Sequence, residues 1–560
     1  MKKKKLYRIV GVLITVLMVG SVIAGCAGKT SDDDNPKGGE EDSPKVTVVK
    51  LEDYGGAGDG VTDNGEAIFL ALSAAKRTDG PVVIEFEKDA TYYFEKVPGE
   101  QYIFVMEGIK DVTLKGDNTT ISLNMERLCG FANIERCENI RVEGFNLKTS
   151  KSVYAIGTVL EANVDKLYID VQSDRDLEIT ETYTMDIDNA FGLPLTDYNR
   201  AHMYMNSIEV LDAASFQYRI NLQDTDDVQR KMQSMVRDGL KFLFPRPNWG
   251  ETADGGPGAF IVTNTTNLEL ENVNLWSANG FCFHMRYNDG KILIRNVNIT
   301  PEPGTDMAMS GWRDGFHLKN NPGQFIFENC TIERNFDDAF NTGVTALSVT
   351  KVYSESEFEM SCGEYADRGG TYYGRLEAGD KLMIYDENNG AFVTYATVKE
   401  RVNQEDWSAP PHVILEEPIT DLMVGLSVSP LDVGQPDMVI KNCYINGTYR
   451  FRTPLTCENT EFATMYAWFD NIPVLEGPVA AHQHFTNCKF YRVAAPDPAD
   501  SFVSPEYMME LGSVVKNWQN HKGVLKAEDI VFENCEIDPN LINWKGAYEV
   551  TINGTQYTSN

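Results

Sequence analysis

The chain has no Cys-x-x-Cys pair and its cysteines are scattered, so the ligand spacings of a structural zinc site are missing. Its seven histidines read as dispersed too, and no zinc centre is expected. Positive charge is scarce: 50 Lys and Arg face 83 Asp and Glu, a formal charge of -33, which argues against nucleic acid and against basic-patch adhesion to an anionic membrane. The opening MKKKKLYRIVGVLITVLMVGSVIAGC holds an apolar run, but one too short for a stable membrane span. What remains is an ordinary globular composition, 42% hydrophobic, over 560 residues. That length exceeds one ordinary core and implies several domains or an elongated repeat architecture.

The opening stretch ends in Ile-Ala-Gly-Cys, which reads as a bacterial lipoprotein signal. Residues 1–25 would be removed and the sulfur of Cys26 acylated, tethering the mature chain to an extracytoplasmic membrane surface. Residues 26–45, rich in Gly, Pro, Ser and acidic side chains, read as a flexible linker.

One phrase recurs downstream: NLELENVNL (267–275), KILIRNVNI (291–299), QFIFENCTI (324–332), DMVIKNCYI (437–445), QHFTNCKF (483–490) and DIVFENCEI (529–537). Each alternates apolar and polar residues, which predicts a strand, and then places an asparagine, which predicts a turn. The aligned asparagines are Asn272, Asn296, Asn329, Asn442, Asn487 and Asn534. The first two are 24 apart, and the 45 and 47 residues between the last three read as two units each. Short strands repeating at this period without helices predict an all-β right-handed parallel β-helix. In such a stack the cysteines are expected to be small buried fillers rather than nucleophiles.

DYGGAGDGVTDNGEAI, from Asp53, precedes a predicted amphipathic helix over 64–76 with Asp63 as N-cap. The phrase resembles the opening of pectate-lyase-like β-helix proteins, in which a helix covers the end of the first coil. Coils are expected over 46–151, 256–350 and 436–560, the middle block carrying the chemistry. Residues 152–255 and 351–435 break the rhythm and read as an inserted β-rich module and an inserted β-barrel.

With the turn-like PEPGTDMAM (301–309) looped out, GFCFH (280–284), RDGFH (313–317) and DDAFN (337–341) align on successive coils. The columns are then Phe283, Phe316 and Phe340; His284, His317 and Asn341; and Phe281, Asp314 and Asp338, with Asp337 at the flank. On the next coil Arg450 is eight residues past Asn442, as Asp337 is past Asn329, so Arg450 or Arg452 is expected to pair with the aspartates or hold a substrate hydroxyl. Trp249, Tyr287 and Trp312 are candidate platforms for sugar rings.

Three carboxylates without histidine or cysteine ligands suit glycoside hydrolysis, in which one acid protonates the leaving oxygen and its partners activate water. Calcium is the rival use of the same oxygens. DGFH followed by FENCTIERN and DDAFN is similar to the DGxH and DDxxN region of glycoside hydrolase family 110, with the likeness spanning most of residues 46–540. The resemblance implies a bacterial inverting α-1,3-galactosidase without a cofactor, with Asp314, Asp337 and Asp338 catalytic. Proximity suggests that Asp314 and Asp338 hold the water and Asp337 is the acid. His284, His317, Asn341, Arg450 and Arg452 are the expected substrate contacts, a glycan the expected partner. A polygalacturonase-like hydrolase, a pectate-lyase-like lyase and a non-catalytic glycan-binding surface protein are the alternatives.

Overall fold

The six marker asparagines all adopt left-handed backbone, with φ between 51° and 56°. Asparagine bears that conformation at less cost than other residues with a Cβ, so each one turns the strand through a corner of the coil. In the computed structural model these corners stack: Asn296 Nδ2 donates to Asn272 Oδ1 at 2.9 Å, 24 residues earlier. The structure describes residues 45–177, 191–194, 203–234, 236–245, 258–278, 280–335, 337–344, 347–361, 376–386, 391–403, 409–430, 437–463, 467–471, 481–491, 507–513, 523–524, 527–546 and 548–559. Cys26, with the signal and linker expected before residue 45, and Trp249 lie outside the described residues.

The architecture is the expected right-handed parallel β-helix. Among the described residues, two parallel ladders run through one 19-stranded sheet, joined where strands such as Glu138–Thr149 and Thr266–Leu275 bend round a corner, and a 10-stranded sheet forms the third wall. One inward column can be followed coil by coil through Val142, Leu270, Ile294, Phe327, Ile440, Cys457, Phe485 and Phe532. All of these are buried, and their stacking supplies the apolar core. The first coil is covered by the helix Gly65–Ala75, which buries Ala67, Ile68, Ala71, Leu72 and Ala75. Asn64, not Asp63, occupies the cap position, while Asp63 Oδ1 accepts from Gly65 N–H at 3.1 Å. No described helix is long and apolar enough to cross a membrane.

Two excursions leave the stack and return to it. Strands from Tyr154–Asn163 to Lys241–Pro245 close a six-stranded barrel with its own core and the helix Asp226–Ser234. Asn274 Nδ2 still donates to Asn146 Oδ1 at 2.7 Å, across 128 residues. Strands from Leu347–Ser354 to Ser427–Pro430 form a second sheet around another core, joined by Gly523–Val524. Cys330 N–H reaches Cys443 Sγ at 3.4 Å across that 113-residue gap.

The spacing needs one correction. Between Asn442 and Asn487 there are two coils, the extra corner being Asn459, but Phe485 pairs directly with Phe532, so the 47 residues from Asn487 to Asn534 make a single coil. A long excursion and an additional coil cost the same chain length, so spacing alone confuses them.

Of the eight described cysteines only Cys129 is not buried, and several do more than fill space. At three corners the residue after the asparagine has its N–H capped by the same position on the next coil: Cys330 by Cys443 Sγ, Cys443 by Thr460 Oγ1 at 3.3 Å, and Cys488 by Cys535 Sγ at 3.4 Å. Buried N–H groups require such acceptors. Thr460→Val, which keeps the shape but removes the acceptor, should destabilise the chain by about 1–3 kcal/mol, whereas Thr460→Cys should cost under about 1 kcal/mol. Denaturant unfolding checks this, and equal losses for the two variants would contradict it.

Candidate active site

Four neighbouring strands of the 10-stranded sheet build the site: Phe281–Arg286, Phe316–Lys319, Phe340–Gly343 and Tyr449–Phe451. Phe283, Phe316 and Phe340 pair in register and stack inside the coil, with ring centroids 4.8 and 5.2 Å apart. Alternation along a strand then puts His284, His317, Asn341 and Arg450 in one column on the opposite, outer face.

Asp314 and Asp338 occupy equivalent turns just before two of these strands, tied by Gly315 N–H donating to Asp338 O at 2.8 Å. Only glycine permits that approach, because a Cβ at position 315 would stand 2.7 Å from Ala339 O. The chain bends at Asp337, whose Oδ1 accepts from Asp338 N–H at 3.1 Å. That bend brings two adjacent aspartates to one side, where a regular strand would send them to opposite faces. Asp314, Asp337 and Asp338 each present an oxygen within 4.8 Å of the others.

Both inner aspartates touch the outer column. His317 Nδ1 stands 2.6 Å from Asp314 Oδ2, and Arg450 Nε stands 3.0 Å from Asp338 Oδ2. Arg450 reaches Asp338 from a different register than the sequence suggested, since it pairs with Asn341 rather than aligning with Asp337. The connection from Tyr444–Asn446 to Tyr449–Phe451 is shorter than that from Thr331–Glu333 to Phe340–Gly343, and equal counting from the asparagines misses this. Arg452 is buried two residues further on, with its backbone N–H donating to Thr342 Oγ1 at 3.2 Å.

Access is narrower than an open cleft. The Asp314 and Asp338 side chains are only 3% and 2% exposed, while His317 and Arg450 retain 12% and 24%. Asp337 is half-buried. Trp312 and Tyr287 are buried and offer no open platform for a sugar ring, contrary to expectation. Phe281 walls one side instead, its ring 5.0 Å from His284 and 4.7 Å from His317.

Burial, helped by the positive charges of Arg286, His317 and Lys319, pushes the His284 pKa well below its ordinary value. His284 is therefore neutral near pH 7, and among the described residues its buried Nε2 has no hydrogen-bond partner. Lys319, absent from the sequence-based candidates, donates to Asn341 Oδ1 at 2.7 Å and fixes which way that amide faces. Its signal was legible, because Lys319 is two residues beyond His317 and so on the same face.

Two like charges 4.8 Å apart repel by about 3 kcal/mol at an effective dielectric near 20. The cluster persists because Arg450 and His317 lie against two of its members, and such crowding favours one carboxyl keeping its proton. Proton donation beside ionised carboxylates is the chemistry this permits. The same three oxygens could contribute to a calcium site, but that ion takes six to eight oxygens, and Asn341 Oδ1 is already committed to Lys319.

No family model matches the chain. It is 25% identical over 298 residues to Alpha-1,3-galactosidase A of Shewanella woodyi, covering 47% of each protein, so it spans about half the length of the curated relative it matches. Among solved structures, a hyperthermoactive exopolygalacturonase from Thermotoga maritima aligns with 92% of this chain and 94% of its own at 9% identity and a TM-score of 0.40. The surface adhesin PfbA of Streptococcus pneumoniae aligns with 90% of this chain and 91% of its own at 11% identity and a TM-score of 0.34.

Proposed function

We propose that the protein is a glycoside hydrolase that removes a terminal sugar from a glycan, with α-linked galactose as the best-supported substrate. One observation carries this: carboxyl oxygens of Asp314, Asp337 and Asp338, from two successive coils, converge within 4.8 Å beside His317 and Arg450. The nearly enclosed inner carboxylates suit an exo-acting pocket for one terminal ring rather than a groove for a continuous polymer. Galactose is supported by the resemblance of DGFH and DDAFN and by the similarity to the Shewanella woodyi protein.

Asp314 and Asp338, held by His317 and Arg450, position the water, and the more exposed Asp337 protonates the leaving oxygen. His284 and Asn341, which share the outer column with His317, are the proposed contacts for sugar hydroxyls. Inversion at the anomeric carbon is supported by the family resemblance. The carboxyl oxygens stand closer than the roughly 6.5–9.5 Å usual for inverting pairs, and NMR of the first anomer released distinguishes the two outcomes. What supports a lipid tether at Cys26, at the extracytoplasmic surface, is the Ile-Ala-Gly-Cys sequence after a basic and apolar leader.

Assays of terminal α- and β-galactosides and galacturonides should show sugar release that falls about 10²–10⁴-fold in Asp314→Asn, Asp337→Asn and Asp338→Asn, with folding retained. Undiminished hydrolysis in Asp338→Asn would remove the reaction from this site, and glycan binding without release by the unaltered chain would leave a binding protein. Arg450→Gln should destabilise the chain by about 1–3 kcal/mol by stranding the Asp338 charge, and adding Asp338→Asn should restore most of that loss. Expressed with its leader in a bacterium, the chain should incorporate labelled fatty acid, and Cys26→Ser should abolish that labelling.

A further inference from the structure

Two of the seven histidines, His482 and His484, flank Gln483 on the strand Ala481–Thr486, on coils beyond the carboxylate cluster. Gln483 is buried, so alternation sends both imidazoles outward. They meet one carboxylate from the next coil: His482 Nδ1 is 2.9 Å from Asp529 Oδ2, and His484 Nε2 is 3.2 Å from Asp529 Oδ1. The three side chains are 61%, 53% and 49% exposed, open to a solvated ion.

The fold by itself asks for less than this. Position 482 belongs to the column that begins with Asn139 and Asn267, as the successive strand pairings show. There, left-handed residues link by hydrogen bonds from side-chain amides, Asn139 Nδ2 donating to Asp111 Oδ1 at 2.7 Å and Asn267 Nδ2 to Asn139 Oδ1 at 2.9 Å. An asparagine at 482 would make the same corner and the same bond to Asp529. Histidine takes the left-handed conformation instead, at φ 57°, and His484 supplies a second imidazole that the ladder does not use.

Two imidazole nitrogens and a carboxylate are the donor set of borderline divalent cations such as zinc, nickel and copper. The nitrogen-to-oxygen contacts are near the roughly 3.3 Å edge of a tetrahedron with zinc bonds of about 2.0–2.1 Å. Each ring faces its own carboxylate oxygen, and the three donor atoms do not all stand within 4.8 Å of one another, so bringing both rings onto one ion takes rotation of half-exposed side chains. Partial burial opposes ionisation of Asp529, yet the hydrogen bonds from His482 and His484 outweigh it and keep its pKa below the ordinary value.

We infer that His482, His484 and Asp529 form a surface site for a borderline divalent cation, separate from the carboxylate cluster. Calorimetric titration of the full chain with zinc chloride at neutral pH tests it without reference to hydrolysis. The unaltered protein should show a micromolar site that His482→Asn and His484→Ala each weaken at least tenfold. Because asparagine already serves at this corner in other coils, His482→Asn keeps the ladder, and its thermal midpoint without metal should match the unaltered chain. Equal zinc affinity and stoichiometry in the unaltered protein and both variants would overturn the site.

Discussion

The parallel register between coils is the constraint on which the rest of the structure depends. Each corner asparagine sets a left-handed turn, each turn passes its hydrogen bonds to the next coil, and the apolar column through Leu270, Ile294, Phe327 and Ile440 follows. Because a strand pairs only with its neighbours in the stack, chain can leave between two coils without disturbing either. The 128- and 113-residue separations bridged at Asn146–Asn274 and Cys330–Cys443 are the result. The same rigidity places Asp314 and Asp338 one coil apart with no freedom to separate, although their mutual repulsion would drive them apart in a flexible loop.

That repulsion is answered locally. Arg450 lies against Asp338, His317 against Asp314, and Lys319 and Arg286 add positive charge behind them. These groups come from three strands that are distant in sequence, so the electrostatics of the site are a product of the stack rather than of any one segment. Under the proposed hydrolysis, this trio supplies both the proton for the glycosidic oxygen and the carboxylates that hold the water.

Much of this was legible in the sequence because β-helix coils repeat in register. Aligning GFCFH, RDGFH and DDAFN identified the phenylalanine stack and the outer polar column, since both depend only on alternation within a strand. Arg450 was identified as a partner of the aspartates but in the wrong register, because connection length changes between coils. For the same reason the single coil from Asn487 to Asn534 looked like two. Trp312 and Tyr287 looked like sugar platforms because burial by other coils leaves no local mark. The convergence of His482 and His484 on Asp529 needed the pairing of two coils 47 residues apart, although His-x-His on a strand was a visible hint.

A structure of the chain with a slowly cleaved terminal α-galactoside bound puts the central claim to its most direct test. The anomeric carbon should face Asp314 and Asp338 across one water, which lies within about 3–3.5 Å of that carbon and in hydrogen-bond reach of their oxygens, with the glycosidic oxygen facing Asp337. A sugar bound away from the 10-stranded wall, with these carboxyls untouched, would contradict it.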